Sequence, residues 1–193
     1  MKKHRIAIFA SGNGSNAENI ATYFEDHPQI KVVSFFTNNK NAYVIERAKS
    51  LNIPFCIFNR NEFYHTARVQ VLLKVQQIDY IVLAGFLWLI PDYILHDYPN
   101  RIINIHPALL PNFGGKGMFG DKVHQAVILA REKESGITIH FVNENYDEGK
   151  IIKQYKCEVM ETETPQTLAL KIHELEYKYF PKVIEEIIIE NEK

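Results

Sequence analysis

Along the first hundred residues, short apolar runs rich in β-branched and aromatic residues alternate with longer stretches whose apolar positions recur at helical spacing. The runs are RIAIFA, KVVSFFTN, IPFCIF, YIVLAGF and RIINI, and helical periodicity fills 17–26, 41–51 and 61–76 between them. Strands that are apolar on both faces and separated by helices predict an α/β fold, a mostly parallel, doubly wound sheet with helices on both faces. After Pro111 the pattern predicts a glycine-rich loop (FGGKGMFG), a helix over 121–133, the strand GITIHFV, a polar turn (NENYDEGK), the strand IIKQYKCEV and a long helix from Thr164. Pro181 falls inside that last helix and is expected to kink or split it, because proline has no N–H for the helical ladder. No repeat, low-complexity tract or linker interrupts the chain, so residues 1–193 are expected to form a single domain.

Composition narrows the class of partner. The formal net charge is −1 and the Lys and Arg residues are scattered, which argues against a nucleic-acid surface and for small-molecule ligands. No apolar run reaches the roughly 18 residues of a membrane span, and the run after the basic start is too short for a secretory signal, so a cytoplasmic protein is expected. Cys56 and Cys157 are far apart in sequence and read as reduced packing residues. The eight histidines show no HxH or HxxxH spacing, so no metal site is expected.

Three segments directly follow predicted strands and should share the carboxyl rim of the sheet, where loops and helix N-termini present N–H groups to ligands. They are SGNGSN, AGFLWLIP and NIHPALLP. In SGNGSN, Gly12 and Gly14 let the backbone approach an anion, and Ser15 or Asn16 is expected to cap the following helix, a pattern that suits a phosphate. A dinucleotide reading is weaker, because the third glycine of GxGxxG is missing and the second strand ends in TNNK without an acidic residue.

In NIHPALLP, Asn104 and His106 are two apart on an extended segment and therefore point the same way. An amide N–H serves an oxygen that gains negative charge, and an imidazole moves a proton at neutral pH. Pro107 and Pro111 stiffen the exit from the strand. No GxSxG or activated cysteine accompanies the pair, so the attacking group belongs to a substrate. A carboxylate that supports the imidazolium is expected in the turn after GITIHFV, where Asp147, Glu144 and Glu148 are all candidates.

Taken in order, SGNGSN, VLAGF, NIHPALLP, and GITIHFV followed by YDEGKII resemble the phosphoribosylglycinamide formyltransferases, folate-dependent enzymes of purine synthesis. The resemblance covers nearly the whole chain and implies a Rossmann-like formyltransferase fold. It implies direct transfer of the formyl group of the co-substrate 10-formyltetrahydrofolate to the amine of glycinamide ribonucleotide, in a monomer or homodimer. On this likeness Asn104, His106 and Asp147 fall on catalytic positions. Gly14, Ser15, Asn16 and Glu176 fall on phosphoribosyl-binding positions, and Leu87, Trp88, Leu89 and Ile90, with Asn104, fall on folate-binding positions. Two departures stand out: NFGGKGMFGDKVH replaces a histidine-bearing segment that encloses phosphate in many members, which brings Lys116 into question, and Asn61, beside Arg60, stands where a basic residue often meets folate. The alternative is a deformylase of the same family, in which water replaces the amine. Such enzymes usually carry an N-terminal regulatory domain, whereas strand one begins here near Arg5.

Overall fold

A computed structural model describes residues 3–190. The chain runs β1 (His4–Phe9), α1 (Ser15–Tyr23), β2 (Ile30–Thr37), α2 (Val44–Ser50), β3 (Phe55–Ile57), α3 (Arg60–Tyr64), α4 (Arg68–Val75) and β4 (Tyr80–Leu83). It continues through α5 (Asp92–Asp97), β5 (Ile102–His106), α6 (Asp121–Leu129), β6 (Glu134–Phe141), β7 (Ile151–Glu158) and α7 (Pro165–Glu190). The strands form one seven-stranded sheet in the order β3-β2-β1-β4-β5-β6-β7. Strands β1 to β5 are parallel, β6 runs antiparallel to β5, and β7 runs antiparallel to β6.

The two-residue period of the strands sorts side chains into two cores. Ile6, Ile8, Tyr80, Val82, Ile103, Ile105, Ile137 and Ile139 pack with α1, α2, α6 and α7 on one face. Ala7, Phe9, Ile81, Leu83 and Ile102 pack with Phe63 of α3, Val69 and Leu73 of α4 and Ile94 of α5 on the other. By parity, Asn104 and His106 stand on the same face as Ile102, at the strand end beyond that second core.

Three expectations about helices are corrected. The periodic stretch 61–76 is two helices, because side chains take the backbone groups that a continuous helix would use. The Thr66 hydroxyl donates to the Glu62 carbonyl (3.2 Å) and accepts from the Arg68 N–H (3.3 Å), while the Tyr93 hydroxyl donates to the Phe63 carbonyl (2.6 Å). A short helix, α5, lies between β4 and β5, where the sequence pattern marks none. Third, α7 passes through the buried Pro181 without a break. The carbonyl left without its helical donor there is that of Tyr177, and Asn19 of α1 supplies a side-chain N–H to it at 3.0 Å.

This substitution of one donor for another is measurable. Asn19→Ala should lower stability by about 0.5–1 kcal/mol in urea unfolding. In a Pro181→Ala background, where residue 181 regains an N–H, the same change should cost almost nothing. Equal losses in both backgrounds would show that the Asn19 bond does not compensate for the proline.

Candidate active site

Strands β1 and β4 lie side by side where the strand order reverses, and the loops that leave them are tied together. The Ser11 N–H bonds the Gly85 carbonyl, and the Leu87 N–H bonds the Ser11 hydroxyl, both at 3.0 Å. The cap of α1 differs from expectation: neither Ser15 nor Asn16 caps it. Gly14 is the N-cap residue, in a left-handed conformation (φ 75°), and no side chain caps the helix. A Cβ at residue 14 would lie 2.5 Å from the Cβ of Val44, so the loop requires glycine on two counts. The first-turn N–H groups of α1 have no helical acceptors and face the rim. The Asn16 side chain instead donates to Glu176 Oε2 of α7 at 2.8 Å, and His173 Nδ1 reaches the same oxygen at 2.9 Å.

At the end of β5 the antiparallel register sets Asn104 opposite His140 and His106 opposite Thr138. The turn after β6 brings in Asp147, in a left-handed conformation (φ 57°), while Glu144 and Glu148 are exposed. The Asp147 carboxylate faces His106 Nδ1 at 3.4 Å and His140 Nε2 at 3.6 Å. It also accepts the Gly115 N–H at 2.9 Å and lies 3.5 Å from the Asn104 amide nitrogen. His106 Nε2 donates to the Phe113 carbonyl at 2.8 Å. His140 donates from Nδ1 to the Phe141 carbonyl at 2.8 Å, and its Nε2 lies 3.0 Å from the Asn104 amide nitrogen.

Sequence reasoning missed His140, and it missed His124 and His173, which line the site's cavity. For His140, the signal is the easiest to trace. Its signal lay in the alternation of GITIHFV, which turns Thr138 and His140 to one face, but only the antiparallel register reveals that this is the face of Asn104 and His106. The prolines expected to stiffen the exit of β5 have help from a buried network. The Thr138 hydroxyl donates to the Ala108 carbonyl (2.6 Å) and accepts the Leu110 N–H (3.0 Å), and Gln154 donates to both the hydroxyl and the Leu110 carbonyl (2.9 Å each).

Opposed influences act on His106 and Asp147. Burial pushes the His106 pKa below its usual value, while Asp147 and the Phe113 carbonyl pull it upward. Burial alone would raise Asp147, but His140, His106 and the Gly115 N–H outweigh it and hold the carboxyl below the usual carboxylate range. The result is a carboxylate beside an imidazole whose second proton is loosely held.

Asn104, His106 and Asp147 open onto a cavity of about 400 Å³ that also takes in Gly14, Ser15, Asn16 and Glu176. Of the segment 87–90, Leu87 lines this cavity and is 42% exposed, whereas Trp88, Leu89 and Ile90 do not line it. Ile90 is in the core, the Leu89 carbonyl accepts the Tyr64 hydroxyl, and Trp88 packs among Phe58, Phe63, Tyr64 and Phe86. The Arg60 guanidinium lies over the rings of Tyr64 and Trp88, while Asn61 is exposed. Gly115, Gly117 and Gly120 of the glycine-rich loop line the cavity, and Lys116 is exposed. Cys56 and Cys157 are free and half-buried. Among the described residues no helix is long and apolar enough to cross a membrane, and no cluster of three or more His, Cys, Asp or Glu side chains is placed to hold a metal ion.

A carboxamide, an imidazole and a carboxylate gather at the carboxyl edge of a doubly wound sheet, where α/β enzymes hold their ligands. The chain belongs to the formyl transferase family, whose model matches residues 4–184. It is 38% identical over 193 residues to the phosphoribosylglycinamide formyltransferase of Bacillus subtilis, covering 97% of this chain and 95% of that one. It is 39% identical over 189 residues to the chloroplastic phosphoribosylglycinamide formyltransferase of Arabidopsis thaliana, covering 95% of this chain but 65% of the plant protein. The crystal structure of phosphoribosylglycinamide formyltransferase from Bacillus halodurans superposes with a TM-score of 0.85 at 37% identity, over 95% of each chain. That from Streptococcus pneumoniae gives 0.82 at 38% identity, over 97% of this chain and 99% of the other.

The opposed influences on His106 give a signed expectation. In Asp147→Asn the carboxylate that favours the imidazolium is gone, so the His106 ring should titrate at lower pH than in the parent chain. Histidine NMR titration would read this directly; an unmoved His106 titration would mean that Asp147 does not govern the ring.

Proposed function

We propose that this chain transfers the formyl group of 10-formyltetrahydrofolate to the amine of glycinamide ribonucleotide, a step of de novo purine synthesis. The observation that carries the reading is the convergence of Asn104, His106 and Asp147 in a cavity that the glycine loop and the N-terminus of α1 also line. The names of the similar proteins support the phosphoribosylglycinamide acceptor and the formyl group transferred, and the folate donor is part of this proposal.

In this reading the phosphoribosyl group lies against Gly14, Ser15 and Asn16, with Glu176 toward the ribose, and its amine points to Asn104 and His106. Leu87 offers exposed apolar surface to the folate ring system. The amine attacks the formyl carbon, the carbonyl oxygen takes the negative charge, and the Asn104 amide N–H shifts from His140 and Asp147 to that oxygen. His106 delivers a proton to the departing folate nitrogen as the tetrahedral intermediate collapses, and the ring, neutral after that transfer, takes up the proton that the amine gives up. Asp147 opposes the loss of positive charge from the ring until transfer, and the Thr138 network keeps the strand exit from relaxing. Holding two substrates in attacking geometry contributes roughly 7–11 kcal/mol, and an oxyanion donor about 2.7–4 kcal/mol, so positioning outweighs either side chain.

Asn104→Ala and His106→Ala should each lower turnover at least about a hundredfold, and His106→Ala should leave folate binding nearly unchanged. Pre-steady-state rates of the purified variants check this, and a loss below about tenfold removes that residue from the chemistry. Following folate absorbance with and without glycinamide ribonucleotide tests the reaction itself. Turnover should require the amine; formate release without it would make the chain a deformylase.

A further inference from the structure

The cavity assigned to a phosphoester has no fixed positive charge on its walls. Among the described residues, none of those lining it is lysine or arginine. Arg47 approaches the glycine loop from outside, but its guanidinium is held by the carbonyl and side chain of Asn13 and by Glu18. A dianion drawn out of water needs compensating charge as well as backbone donors.

Two imidazoles besides His106 line the cavity. His124, on α6, is 3% exposed, lines the cavity, and has a buried Nδ1 without a hydrogen-bond partner. His173, on α7, also lines the cavity, and its Nδ1 is fixed at 2.9 Å by Glu176, the same carboxylate that holds Asn16 in the first turn of α1. That bond leaves Nε2 of His173 available to a ligand. Resting on the reading above, we propose that His124 and His173 are the cationic ligands of the substrate's phosphoester, and that the site becomes charged by taking up a proton as the phosphoester binds.

The surroundings of the two rings set the sign. Glu176, through its hydrogen bond, raises the His173 pKa against the effect of burial, and Asp121 adds to the rise. Burial lowers His124, His173 and His106 lower it further, and Glu176 and Asp121 oppose them. Glu176 therefore favours the charged ring at His173, whereas burial disfavours it at His124. A dianion beside both rings favours their protonated forms, so affinity is full at lower pH and is lost as pH rises through the ligand-bound pKa values. A phosphate monoester has its own second pKa near about 6, so above pH 7 any loss belongs to the protein.

Calorimetric titration of ribose 5-phosphate into the full chain, in buffers of different ionisation enthalpy, tests the proposal. At pH 7.5 binding should take up a measurable fraction of a proton, and Kd should weaken at least about tenfold between pH 7 and pH 9. His124→Asn should abolish most of the uptake, and His173→Asn should weaken binding at pH 7 and flatten its pH dependence. If His124→Asn fails to fold, the partly exposed His173 variant carries the test. Absence of binding, or binding with no proton uptake and a flat pH profile, overturns the proposal. The outcome is separable from the catalytic reading: amine-dependent formyl transfer with pH-independent phosphate binding rejects only the imidazole pair, and pH-linked phosphate binding without formyl transfer rejects only the reaction.

Discussion

The Asp147 carboxylate is the constraint on which the rest of the site depends. It is 11% exposed at the side chain, in a place where an unpaired charge would be costly, and so each oxygen must find partners. One faces the His106 ring and the Gly115 N–H, and the other faces His140 and the Asn104 amide. Three separate segments, the end of β5, the glycine-rich loop and the end of β6, are therefore gathered by a residue that belongs to none of them. Its left-handed backbone brings the side chain inward while its neighbours Glu144 and Glu148 stay in water. The cost of that conformation is offset by the bonds the carboxylate then makes.

The sheet supplies the other half of the arrangement. Isoleucines at 103, 105, 137 and 139 fill one core, which leaves the alternate positions of β5 and β6 free to be polar. Asn104, His106, Thr138 and His140 occupy them, and because β6 is antiparallel to β5 they stand in facing pairs. One hydrophobic pattern thus anchors the strands and aims the chemistry. The same economy appears in α7, where Glu176 belongs to the helix's buried surface yet holds Asn16 and His173.

Much of this was legible because it is local. The alternation of runs and periodic stretches marks the strands and most helices, and the two-residue spacing of Asn104 and His106 predicts their shared face. What escaped depends on partners distant in sequence. His140 acquires meaning only through the register of two strands, the break between α3 and α4 comes from Thr66 and from Tyr93 in a later helix, and the continuity of α7 at Pro181 comes from Asn19 at the opposite end of the chain. The capping of α1 was misread for a related reason. Ser15 and Asn16 are good capping residues by type, but the tight approach to Val44 assigns the cap to Gly14, and Asn16 is drawn off to Glu176.

Trp88 is the one tryptophan of the chain. It sits beneath the Arg60 guanidinium, inside the aromatic cluster, one residue along from the Leu87 wall of the cavity. Fluorescence excited at the red edge, where the ten tyrosines absorb little, therefore arises from a single indole in a single environment. The molecule carries its own optical label at the border of the proposed folate wall, and a spectral change on adding a ligand can be traced to that border without introducing a dye or a mutation.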